Sequence, residues 1–372
     1  MKRKVIILSA DYGEGHAQVS RALNEELTSI GMLEVKTLNL MNQSHPVIDY
    51  LSRQFYLQSY THFSAIYGWL YNSTKYLPLT SKRARMLHSF GIHRMKQLLE
   101  EEEPDLLIHT FPGSAASELK RKGELSLPIF SVITDFSFHQ RWIHPEIDRY
   151  FVPTEELKEE IIRAGEPADK VIVSGIPIRE SFEILSSKET LFEKYQLSPD
   201  KKMVLILAGA YGVSKDIKSM CEGLRKDASL QTIVICGKNS ELKDEMAQKY
   251  ADAPNIRIMG YVNTLHELMQ LATGMVTKSG GVTLSEALAC GCPLLILPPV
   301  SGQEEENAKY LQREGAAKIL THETDMANQV ELYLNDSPCL KEMHENSLRI
   351  RKMGATKRIA QEIIDFFNHP VS

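Results

Sequence analysis

GMVTKSGGVTLSEALACGCPLLILPPVSGQEEENA, residues 274–308, runs twice through one pattern. An apolar run at 274–277 ends in the glycine-rich loop Lys278-Ser-Gly-Gly281, and a helical stretch follows over 281–290. A second apolar run at 293–297 ends in Pro298-Pro-Val-Ser-Gly302, with a helical stretch over about 304–313. A strand that is apolar throughout has no polar face to give to water, so both its faces must be covered. Repetition of strand, loop and helix then predicts a parallel sheet with helices on both sides.

The pattern extends in both directions. Upstream lie MVLILA (203–208), TIVIC (232–236) and IRIMG (256–260), separated by helical stretches over about 213–226, 239–250 and 262–271. The first half repeats the style with VIIL (5–8), VKTL (35–38), LLIH (106–109), IFSVIT (129–134) and RYFV (149–152). Helical patterns there cover about 15–30, 43–72, 80–102, 113–122 and 154–164. The 372 residues exceed what one hydrophobic core usually serves. The expected fold is α/β: two Rossmann-like domains, 1–180 and 190–355, with a cleft between them. A strongly amphipathic helix near 355–368, within a terminal segment 355–372, is placed to pack back on the first domain. Ligands of such sheets bind outside the carboxyl ends of the strands, so the strand-to-helix loops carry the chemistry.

Composition narrows the class. With 24% charged residues and 43% hydrophobic ones, the chain is globular rather than disordered or fibrous. Its five cysteines form no CxxC pair, and Cys290-Gly-Cys292 is too tight for a zinc knuckle, so reduced thiols in the cytoplasm are expected. The apolar run in MKRKVIILSA stops at Asp11, too short for a signal peptide or a spanning helix.

Net charge is −5, yet no acidic residue occurs between Asp49 and Glu100. That window holds Lys82, Arg83, Arg85 and other cations together with ten of the 28 aromatics, Trp69 among them. A basic, aromatic, acid-free segment suits peripheral docking on an anionic membrane surface. An ordinary helical excursion with inward aromatics shares this composition, and single-stranded nucleic acid is the weaker reading.

Three loops are candidates for chemistry. Asp11-Tyr-Gly-Glu-Gly-His16 sits between the first strand and the first helix. A histidine at a helix N-terminus is held neutral by the dipole and suits a general base, although a capping histidine in a tight turn has the same sequence. The spacing is not the full GxGxxG fingerprint, and Asn39 stands where a ribose-binding acid would follow the next strand. In the second loop, Ser279, Gly280 and Gly281 present backbone N–H groups to an anion such as a diphosphate, with Thr283 and Glu286 one turn on. The third brings Gln303, Glu304 and Asn307 to a helix start, a set able to bind sugar hydroxyls or simply to complement the dipole. The strand ends at Gly209 and Gly237, and Arg179 near the linker, join the candidate donor-binding set.

Taken together these segments resemble a known group. KSGGVTLSEALACGCP followed by PPVSGQEEENA is similar to the donor-binding signature of the family containing the peptidoglycan N-acetylglucosaminyl transferase. ADYGEGHAQVSRAL, ITDFSFHQRWIHPEIDRYFVPTE and SGIPIRESF resemble its lipid branch, the plant monogalactosyldiacylglycerol synthases and bacterial processive diacylglycerol glucosyltransferases. The resemblance implies the GT-B architecture and an inverting transfer of a hexose, glucose first, from a UDP-sugar to diacylglycerol or a glycosyl-diacylglycerol. It makes His16 the acceptor-side base and gives Arg179 the donor phosphates. It gives the backbone of Val262 the uracil, Ser279, Gly280, Gly281 and Thr283 the diphosphate, Glu286 the ribose, and Gln303 and Glu304 the sugar. Asp135 and His139 fall in a matching stretch without a role. No Asp-x-Asp occurs in the chain, so no metal is expected; nor is a cofactor or a nucleic-acid partner expected. The expected location is cytoplasmic, peripheral to the inner face of the membrane. A UDP-GlcNAc 2-epimerase, a non-catalytic UDP-sugar sensor and a dinucleotide oxidoreductase are the competing readings.

Overall fold

The apolar runs form the centres of two six-stranded parallel sheets. The structure, a computed structural model, describes residues 2–9, 14–39, 64–76, 92–209 and 214–369. Lys82, Arg83, Arg85 and most of the aromatic segment lie outside the described residues, as do residues 10–13 of the histidine loop and 210–213 after Gly209.

The first sheet contains β1 (Arg3–Ser9), β2 (Leu33–Asn39), β3 (Leu106–His109), β4 (Ile129–Val132), β5 (Arg149–Val152) and β6 (Val171–Val173), in the order β2-β1-β3-β4-β5-β6. Its helices are α1 (Glu14–Ser29), α2 (Ser64–Lys75), α3 (Ile92–Glu102), α4 (Ala115–Arg121) and α5 (Glu155–Arg163). Val5, Ile6, Ile7 and Leu8 are all fully buried, as a central parallel strand requires.

The second sheet has the order β12-β11-β10-β7-β8-β9. Along the chain come α6 (Lys188–Tyr195), β7 (Lys202–Leu207), α7 (Ser214–Leu224), β8 (Leu230–Ile235), α8 (Ser240–Lys249), β9 (Ile256–Met259), α9 (Leu265–Leu271), β10 (Gly274–Thr277) and α10 (Gly281–Ala289). They are followed by β11 (Leu294–Ile296), α11 (Gln303–Arg313), β12 (Ala317–Ile319), α12 (Met326–Asn335), α13 (Ser337–Ile350) and α14 (Ala355–Asn368). The sequence reading places no strand at β6 or β12, each three residues long, which is too short to show a period.

The described residues divide into two compact units. The first runs to Glu180 and takes in Ser301–Gln303 and the chain from Lys352 onward; the second holds Ser181–Val300 and Glu304–Arg351. In the first unit α14 buries Ile359, Ala360 and Ile363, and its Phe366 ring meets Phe130 of β4 edge-on at 5.1 Å. The Thr356 hydroxyl donates to the Ile178 carbonyl at 2.9 Å. Burial of each isoleucine contributes about 1.5–3 kcal/mol, enough to hold an amphipathic helix in place.

Strand order fixes where a ligand can enter. It reverses between β1 and β3 in the first sheet and between β7 and β10 in the second. The chain leaves the sheet in opposite directions at these two points and opens a crevice at the strand ends. The loop before His16 follows β1, and the Lys278 loop follows β10.

Candidate active site and donor loops

His16 is the third residue of α1, in the first turn, where unsatisfied N–H groups make the environment positive. Its Nδ1 lies 2.6 Å from the Thr110 carbonyl, with the Thr134 hydroxyl at 3.4 Å. A carbonyl only accepts, so Nδ1 carries the proton and Nε2 keeps the lone pair. Thr110 is itself fixed, its N–H and its hydroxyl both donating to the Leu8 carbonyl at 3.1 Å. The buried Ser20 hydroxyl completes the set by donating to Thr110 Oγ1 at 2.9 Å.

Burial lowers the His16 pKa below the ordinary imidazole value, opposed by the negative charge of Asp135 and the bond to Thr110. The ring is therefore neutral near pH 7 and ready to take a proton at Nε2. Once protonated, it has the buried Asp135 carboxyl within electrostatic reach. The neighbouring His109, last residue of β3, is pushed down to about 4 by burial, and its ring stacks on Phe111 with centroids 6.3 Å apart. The sequence reading gave Thr110 no place: it meets His16 only through strand order, across 94 residues.

The second unit presents a different kind of site. α10 starts at Gly281 with Gly280 as its N-cap, and no side chain caps it. A Cβ built on Gly280 meets no described atom within 4 Å. Such a terminus binds an anion through backbone dipoles. Ser279 and Asn307 are fully buried and brace the loop from behind. The Ser279 hydroxyl donates to the Glu304 carbonyl at 2.7 Å, and the Asn307 amide donates to the Ser279 carbonyl at 3.1 Å. Their side chains thus join β10's loop to α11.

Glu286 is buried and Thr283 half-buried, three residues apart and so neighbours on α10. Lys278 has a pKa lowered by burial, against which the Glu304 charge works. Gly209 and Gly237, just past β7 and β8, have φ of +73° and +58°, the left-handed turn that glycine takes without strain. Val262 lies three residues beyond β9, after Tyr261, whose ring has the Lys238 ammonium 6.0 Å from its centroid. Within this unit the strand ends bring together Lys278 to Gly281, Glu304 and Asn307, while Gly209 follows the adjacent β7. Arg179, half-buried, and Gln303, the first residue of α11, belong to the first unit. Trp69 stands on α2 with 71% of its surface exposed. Among the described residues no cluster of three or more His, Cys, Asp or Glu could hold a metal ion.

Comparison with known proteins matches the two halves of the chain to two families. Residues 16–178 match the family described as monogalactosyldiacylglycerol (MGDG) synthase, and residues 203–363 match the glycosyltransferase family 28 C-terminal domain. A processive diacylglycerol beta-glucosyltransferase of Bacillus thuringiensis (strain Al Hakam) is 38% identical over 363 residues, 97% of this chain and 93% of its own. One of Bacillus cereus (strain AH187) is 39% identical over 364 residues, with the same coverage.

Solved structures show the fold. The S. aureus MnaA–UDP co-structure superposes with a TM-score of 0.65 at 16% identity, covering 98% of this chain and 97% of that one. Acinetobacter baumannii MurG gives 0.64 at 15% identity, covering 98% and 100%. A UDP-GlcNAc 2-epimerase from Neisseria meningitidis gives 0.61 at 16%, covering 98% and 100%, so this GT-B fold does not by itself separate transfer from epimerisation. The full-length sequence relatives do separate them, and the chain belongs to the processive diacylglycerol beta-glucosyltransferase family of glycosyltransferases.

Proposed function

We propose that the protein transfers glucose from a UDP-sugar to diacylglycerol, or to a glycosyl-diacylglycerol, with inversion at the anomeric carbon. The observation that carries the chemistry is the Nδ1–H bond from His16 to the Thr110 carbonyl, which leaves Nε2 as the base. Nε2 takes the proton of the acceptor hydroxyl as that oxygen attacks C1 of the sugar. The bond from C1 to the diphosphate oxygen breaks, and UDP leaves with the electron pair. One displacement on an α-linked UDP-sugar gives the β linkage found in the names of the relatives. Asp135 stabilises the imidazolium that forms. In this reading the open N-terminus of α10 receives the charge growing on the diphosphate, and Lys278 and Arg179 assist it. Glu286 takes the ribose hydroxyls and Glu304 with Gln303 the sugar; Val262 meets the base, and Thr283, Gly209 and Gly237 line the donor path. Asn307 and the Ser279 side chain act by bracing.

The same reading sets the protein at a membrane surface as a peripheral enzyme. Among the described residues no helix is long and apolar enough to cross a membrane. Support for docking comes from the exposed Trp69 on α2 and the acid-free basic segment that continues through Lys82, Arg83 and Arg85. With backbone and cationic groups carrying the diphosphate charge, and no Asp-x-Asp in the chain, the reaction proceeds without a metal.

The deciding experiment is UDP release from UDP-glucose in EDTA, with and without diacylglycerol in anionic vesicles. Lipid-dependent release accompanied by a glycolipid is expected. Release only after magnesium is restored would overturn the metal-free mechanism, and lipid-independent consumption of the donor would favour an isomerase.

A further inference from the structure

The seven residues after β4, Ile133 to His139, leave the sheet as an almost wholly buried loop with one end at His16 and the other at α2. At the first end Thr134 lies 3.4 Å from His16 Nδ1 and Asp135 acts on His16 through its charge. At the other end Ser137 Oγ is 3.5 Å from the Tyr71 hydroxyl, and Phe138 stacks on Tyr76 with centroids 6.0 Å apart. His139 ends the loop. Its Nδ1 accepts the Arg141 N–H at 3.1 Å and so caps the short 3-10 helix Gln140–Trp142.

That cap settles the tautomer. With Nδ1 accepting, the proton sits on Nε2, which lies 3.4 Å from Thr74 Oγ1. The Thr74 hydroxyl donates its own proton to the Tyr71 carbonyl at 3.1 Å, so it receives the histidine N–H. The Tyr71 ring packs against the imidazole with centroids 4.6 Å apart. Burial pushes the His139 pKa down to about 4, so the donor N–H and the acceptor Nδ1 coexist across the physiological range. Thr134 to His139 are all buried, and a packed segment of this kind transmits position rather than absorbing it.

We propose that this loop is a positioning device for the acceptor. It holds α2, the helix bearing the exposed Trp69, at a fixed distance from the His16 base, and His139 is the residue that sets that distance. His139 acts through α2. The inference rests on the lipid-acceptor reading given above and adds to it which residues place the lipid relative to the base. A displacement of about 1 Å between acceptor and base costs up to about 100-fold in rate, which is why such a link matters.

Two substitutions separate this role from a merely structural one. His139→Asn keeps an N-cap acceptor for Arg141 but is too short to reach α2. Thr74→Val leaves His139 and its cap intact and removes the acceptor on α2. Initial rates are measured with UDP-glucose and diacylglycerol in vesicles, varying each substrate. Each variant is expected to lower kcat/KM for the lipid about tenfold while leaving KM for UDP-glucose and the thermal midpoint unchanged, and the double variant should be no worse than either single one. A wild type that makes no glycolipid overturns both the acceptor reading and this inference. A wild type that makes it, with kcat/KM for the lipid unchanged in both variants, overturns the positioning role alone. A rise in KM for both substrates, or effects that simply add, also overturns it, because the residues would then act through general stability.

Discussion

The two switch points of the molecule solve different problems with different materials. At the first, beside β1 and β3, the working parts are side chains: a half-buried imidazole, two hydroxyls and the Asp135 carboxylate that follows β4. At the second, between β7 and β10, they are backbone N–H groups at an uncapped helix start, braced by buried Ser279 and Asn307. Moving a proton needs a group whose pKa is tuned, and only a side chain titrates. Holding a diphosphate needs fixed dipoles, and the backbone supplies these without changing charge. Two switch points of the same kind therefore yield unequal chemistry, decided by what each loop exposes.

The comparison breaks most sharply at His16. His16→Ala is expected to lower kcat by about 1,000-fold, the usual yield of a general base, with UDP binding unchanged in calorimetry. An equal loss of UDP affinity would mean that the two switch points are not separable. Next in size is the basic segment that follows α2 in the sequence. Removal of the charges of Lys82, Arg83 and Arg85 together should weaken binding to anionic vesicles by about 1 kcal/mol per residue, roughly 100-fold in all. Unchanged sedimentation with vesicles would end the docking reading.

Gly280→Ala probes the donor side. The new methyl meets no described atom within 4 Å, and the backbone φ of −70° accepts it, so stability should change by no more than about 1 kcal/mol. Donor KM should nevertheless rise about tenfold, because the methyl occupies the anion's place. An unaltered donor KM would remove the diphosphate from this helix terminus.

The smallest effect sharpens the contrast through pH. His16, His109, His139 and His144, all in the first unit, have pKa values lowered chiefly by burial, His109 and His139 to about 4. Unfolded, each would bind a proton near pH 6.5, so the unfolded state holds more protons between about pH 6.5 and 4, and stability falls as pH falls through that window. Both tryptophans, Trp69 and Trp142, lie in the first unit, so their fluorescence reports it selectively. Its unfolding midpoint should drop by several degrees from pH 7 to 5, while the acid limb of kcat stays below pH 6.5. A midpoint independent of pH would show that these histidines titrate normally.

Much of the fold was legible because parallel strands buried on both faces are continuous apolar runs. LLIH, RYFV and GMVT coincide with β3, β5 and β10, and the amphipathic stretch at 355–368 coincides with α14. IFSVIT ended early: β4 stops at Val132, and the chain turns away to pack Phe136 and Phe138 and to bring Thr134 to His16. An apolar run signals burial, and burial in a loop looks the same as burial in a strand. The three-residue β6 and β12 carried too little pattern to be seen.

The loops that carry candidate chemistry were also visible, since glycines and polar residues directly after apolar runs mark strand ends. Their roles divide differently. The sequence grouped Asn307 with groups facing a ligand, whereas the structure has its side-chain amide bonded to the Ser279 carbonyl. Nothing local distinguishes a buried asparagine that braces a loop from an exposed one that binds a sugar.

By itself the sequence determined two parallel sheets, the loops at their strand ends and, through ordered motifs across nearly the whole chain, the family. Only the tertiary structure decided that the Thr110 carbonyl fixes the His16 tautomer, that no described atom crowds Gly280 and that His139 grips α2. The reason is range: patterns of period two or 3.6 report which faces are buried. A tautomer or a pKa depends on which particular atom, some 94 or 118 residues away, arrives within hydrogen-bond distance.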